Sequence, residues 1–91
     1  MKKIIMFHGA SSHSCDRMMP IVDQIILSGI EIDKREVWNN AKNAEKMMEF
    51  KEIIIDASGE STKVPTFIDP NKRRAICGEH GYTALRKWMS R

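Results

Sequence analysis

The chain has 91 residues, 42% of them hydrophobic, and a formal net charge of +3. That length supports one domain, residues 1–91, with a single small core, and the apolar share excludes disorder as the default state. Aromatic residues make up only 7% and do not interleave with the basic clusters Lys72-Arg73-Arg74 and Arg86-Lys87, so a base-stacking nucleic-acid surface is not expected.

The apolar run that follows Met1-Lys2-Lys3 reaches only Phe7, too short for the core of a secretory leader. No stretch approaches the ~20 apolar residues that cross a bilayer. A cytoplasmic location without membrane contact is the expectation. The two cysteines, Cys15 and Cys77, are too few for a disulfide scaffold and lack the paired spacing of a zinc site. No metal is expected.

Lys3 to His8 is a β-branched apolar run stopped by Gly9, the pattern of a buried strand. Ser11, Ser12 and Ser14 are candidate caps for a helix that follows. In it Met18, Val22, Ile25 and Ile26 share one face, Asp16, Asp23 and Gln24 point away, and Gly29 ends it. Ile30 to Asp33 alternates as a second strand does. Asn39 or Asn40 can cap a second helix with apolar positions Ala41, Ala44, Met47, Met48, Ile54 and Ile55, although Ile53-Ile54-Ile55 alone has strand propensity. Ser58 to Ser61 is a loop, Thr66 to Asp69 a third strand, Asp69 to Lys72 a turn, and Arg74 to Cys77 a returning strand. Gly78 breaks that strand, and Tyr82, Leu85, Trp88 and Met89 mark a last helix. The order is β-α-β-α-β-β-α, an α/β chain whose first β-α-β unit implies parallel strands and a right-handed crossover.

Several residues carry chemistry on this layout. Ser12-His13-Ser14-Cys15 lies between the first strand and its helix, and Pro20 lies within that helix. Val64-Pro65-Thr66-Phe67 leads into the hairpin, and Gly78 precedes the helix containing Leu85 and Trp88. Together these resemble the thioredoxin/glutaredoxin superfamily, as a divergent glutaredoxin-like member with SxxC in place of CxxC. The resemblance spans essentially the whole chain. It implies a thioredoxin-like fold, with a four-stranded mixed sheet and helices on both faces. It places Ser12 and Cys15 on the two CxxC positions and makes Val64-Pro65 the cis-proline site. There the Val64 backbone would hold a peptide or glutathione by strand-like hydrogen bonds. His13, Ser14 and Gly78 complete the implied substrate-binding surface.

The departures from that pattern bear on chemistry. Ser12 occupies the attacking position and cannot form a disulfide. Met6 stands where thioredoxins carry a buried acid, and Gly9 where many glutaredoxins carry a lysine. Near the last helix Gly78-Glu79-His80-Gly81 keeps one acid of a usual pair.

Two readings follow. In one, the chain is a thiol-disulfide redox protein working by monothiol exchange through Cys15. Glutathione is then a co-substrate rather than a bound cofactor, and the partner is a protein disulfide or a glutathionylated substrate. Cys77 is a candidate partner thiol if its Cα lies within ~7 Å of that of Cys15; a core cysteine is the simpler account. In the other, the chain is a non-catalytic module that binds a peptide or glutathione. Ser12 is better explained as a helix cap than as a donor to a glutathione thiolate. His8 and His13 are candidate proton carriers. With Met18 and Met19 they offer soft ligands to Cu(I), but adjacent methionines lie ~100° apart on a helix and suit core packing better.

Overall fold

A computed structural model describes residues 3–91. Met1 and Lys2, the start of the run weighed above as a leader, lie outside the described residues. Strand β1 (Lys3–His8) is one of two inner strands of the sheet. β2 (Glu31–Glu36) pairs with it in parallel, from Lys3 opposite Glu31 to His8 opposite Glu36. β3 (Thr66–Asp69) pairs antiparallel on its other side, and β4 (Arg74–Cys77) pairs antiparallel with β3, giving the order β2-β1-β3-β4. β2 extends three residues past the expected end at Asp33. The pairing with β1 carries the charged run Lys34-Arg35-Glu36 into the sheet edge, where charge is tolerated.

Alternation along β1 divides the core. Ile4 and Met6 face α1 (His13–Leu27) and α4 (Tyr82–Ser90), packing with Met18, Val22, Ile25, Phe67, Leu85 and Met89. Ile5 and Phe7 face the opposite layer, with Met47, Phe50, Ile54 and Ile68. A strand buried on both faces has no polar side, so Ile4 to Phe7 reads as a continuous apolar run. Each such side chain contributes about 1.5–3 kcal/mol on burial.

The second layer corrects one expectation. Instead of one long helix there are two, α2 (Ala41–Met48) and α3 (Lys51–Ser58), so the order is β-α-β-α-α-β-β-α. The chain leaves helical geometry at Phe50 (φ −107°, ψ 15°), whose ring packs 6.3 Å from that of Phe7. Burying this aromatic against the sheet outweighs continuing the helix. Ile54 lies fully buried in α3, so tertiary packing overrides the strand propensity of its isoleucine run. No helix of the described residues is long and apolar enough to cross a membrane.

Candidate active site

The site forms where β1 ends and α1 begins. Ser12 takes an extended conformation (φ −80°, ψ 120°) and caps α1, its Oγ accepting the Cys15 N–H at 3.2 Å. The Ser12 N–H donates to the Gly9 carbonyl at 3.1 Å, which closes the turn between strand and helix. Cys15 therefore sits in the first helical turn and is only 1% exposed. Its Sγ accepts the Gly9 N–H at 3.4 Å. Ser12 is half-buried on the outer side of this turn and His13 is exposed.

The Val64–Pro65 peptide bond is cis. Pro65 is buried, and its carbonyl accepts the Gly78 N–H at 2.9 Å, which fastens the segment before β3 to the end of β4. Gly78 has φ +87°, a left-handed conformation that a side chain would strain.

The loop after β4 closes on α1. Arg17 donates through Nε and a terminal nitrogen to the two Glu79 carboxylate oxygens at 2.8 and 2.9 Å, and Ser14 Oγ donates to the same carboxylate at 3.2 Å. The Arg17 bond, with help from Ser14, holds the Glu79 carboxyl below the usual carboxylate range. The His80 N–H donates to Met18 Sδ at 3.4 Å, and its ring Nε2 lies 2.8 Å from the Cys77 carbonyl. Met18 is buried in the α1/α4 core, as packing rather than ligation requires.

No disulfide joins Cys77 to Cys15. Both thiols are free. Cys77 packs against the layer of α2 and α3, where it receives the Thr66 hydroxyl at 3.2 Å. Cys15 belongs to the buried stripe of α1 with Met18, Val22 and Ile25.

Two residues escaped the sequence reading. The Glu36 carboxylate accepts the backbone N–H groups of Ala10 (2.9 Å), Trp38 (2.9 Å) and Asn39 (2.8 Å), tying the loop before α1 to the loop before α2. Partial burial alone would raise its pKa. The three amide donors and nearby His8 outweigh that and hold it below the usual range. Partial burial holds His8 below the ordinary imidazole range against the opposing pull of Glu36. Trp38 lies over Gly9 so closely that a Cβ there would meet the ring at 2.4 Å. The signal available was topological: parallel β1 and β2 end at the same edge, and ligands of such sheets gather at the carboxyl ends of strands.

No family model and no curated protein matches the chain. Several solved structures do, two of them as follows. One comes from work on the thiol resolving mechanism of yeast mitochondrial 1-Cys peroxiredoxin via glutathione/thioredoxin systems, at 20% identity and a TM-score of 0.64. The other is mitochondrial thioredoxin 3 from Saccharomyces cerevisiae in its oxidized form, at 22% identity and a TM-score of 0.61. Each match covers 98% of this chain and 76% of the other. At these identities the likeness is one of architecture, and the chain has the thioredoxin-like fold.

Proposed function

We propose that this chain is a thiol redox protein that reacts through Cys15 alone, with substrate held along Val64–Pro65. The observation that carries the reading is the Gly9 N–H donating to Cys15 Sγ at 3.4 Å within the first turn of α1. That donor is placed for a sulfur carrying charge, as this one does at the start of attack and again on release. The Cys15 thiolate attacks one sulfur of a glutathionylated or disulfide substrate. A mixed disulfide forms and the other sulfur leaves as a thiolate. A glutathione thiolate then attacks the mixed disulfide, freeing Cys15 and forming glutathione disulfide or a glutathionylated product. Cys77 packs against the layer of α2 and α3 and not in the stripe of α1 that carries Cys15, which favours glutathione as the second thiol.

A second reading has its own support. Cys15 is 1% exposed behind the Ser12 cap, so attack requires the first turn of α1 to open. A module that binds an extended peptide or glutathione without reacting needs no such opening.

The test is the rate at which glutathione removes glutathione from a modified peptide. Catalysis by wild type and C77S and its loss in C15S supports redox function. No acceleration by wild type, or full activity in C15S, overturns it. Binding of S-methylglutathione by an inactive wild type would then favour the module.

A further inference from the structure

A cavity of about 470 Å³ lies between α2 and the loop after β2, beside the site but chemically unlike it. Val37, Trp38, Ala44, Met47 and Met48 wall it, Thr62 lies on its rim, and Glu45 is its one charged group. The volume falls in the range of small-ligand pockets. Trp38 is 52% exposed and Met48 45% exposed, so apolar surface that the core does not use is presented here.

The indole is held in place. Gly9 lets the ring lie against the backbone, and Glu36 fixes the Trp38 amide together with that of Ala10. The pocket reaches the segment that leads to Val64–Pro65 through Thr62. Thr62 stands two residues before Val64, and Val64 and Val37 both pack against the core cluster that contains Met47.

An indole face, thioether walls and one carboxylate together fit an arginine side chain. Its planar guanidinium stacks on an indole and pairs with a carboxylate, while its methylene stem packs on apolar surface. A lysine ammonium cannot stack in this way, and a purely apolar side chain makes no use of the Glu45 carboxylate. We propose that the Trp38–Glu45 cavity binds an arginine side chain of an extended peptide whose backbone runs along Val64. This rests on Val64 as the peptide-receiving segment and not on any reaction at Cys15.

The test uses cysteine-free hexapeptides that carry arginine or norleucine at one central position. They are titrated into the full chain at low salt and followed by amide and indole NMR shifts. The arginine peptide should move the Trp38 indole and the Val37, Thr62 and Val64 amides in one saturable process. E45Q should weaken that binding about fivefold, the upper range for an exposed ion pair, and leave the norleucine peptide unaffected. W38A should weaken the arginine peptide further. Equal affinity for the two peptides, equal binding by E45Q, or shifts away from this cavity would overturn the proposal. Because the peptides hold no sulfur, these results are independent of whether Cys15 reacts.

Discussion

The Oγ of Ser12 accepts the backbone N–H of Cys15 at 3.2 Å. The residue at the first position of the SxxC motif is thus the cap of the helix that carries the remaining sulfur. Replacing it separates the two roles. S12A should cost about 1 kcal/mol in urea unfolding, the usual loss on removing a serine cap. S12C returns a second sulfur to the helix end, and mild oxidation should then give a mass loss corresponding to one disulfide between positions 12 and 15. Failure of S12C to oxidise would contradict the assignment of this turn as the redox position.

Gly9 and Trp38 form a second coupled pair. A Cβ at position 9 would lie 2.4 Å from the indole, so G9A must displace the ring. The expected cost is about 1–3 kcal/mol, as for overpacking elsewhere, with a change in tryptophan emission. In W38A the same change at position 9 should cost much less, because the clash is gone. A double-mutant cycle in denaturant measures the coupling.

Much of this fold was legible because its sequence signals are local. Ile4 to Phe7, the Ser12 cap, the Asn40 cap and the break at Gly78 each act through propensity or periodicity over a few residues. The division between α2 and α3 was not legible, since it depends on Phe50 finding Phe7 across the chain. The packing of Cys77 against the layer of α2 and α3 was hidden for a similar reason. It follows from which face of β4 carries Cys77, a matter of register rather than composition. Glu36 and Trp38 were missed because neither belongs to a motif; their roles arise only when parallel strands end side by side.

Ile54 tests the layer opposite α1. It is fully buried on α3 within the cluster of Phe7, Met47 and Phe50. I54A should lose about 2–5 kcal/mol by transfer and cavity terms. The neighbouring Ile55, 41% exposed, should lose far less on the same change. Equal losses at both positions would contradict the helical placement.

Acidification should destabilise the fold through identifiable groups. The carboxyls of Glu36 and Glu79 are held below their usual range in the folded chain. Their contributions are present above the unfolded value, about 4.3, and are lost as pH falls through the folded values. His8 is lowered as well, so the unfolded state takes up its proton first below about 6.5. All three effects act in one direction, and the urea midpoint should fall from pH 7 to pH 3. E36Q should flatten the lower part of that fall. An unchanged slope would show that the three amide bonds to this carboxylate do not couple to folding.

The most direct measurement of the central claim is to treat the folded, reduced protein with oxidised glutathione and map the adducts by mass spectrometry. The account predicts a glutathione adduct at Cys15, with no bond between Cys15 and Cys77. A Cys15 that stays unmodified in the folded state, and is modified only after denaturation, would contradict it.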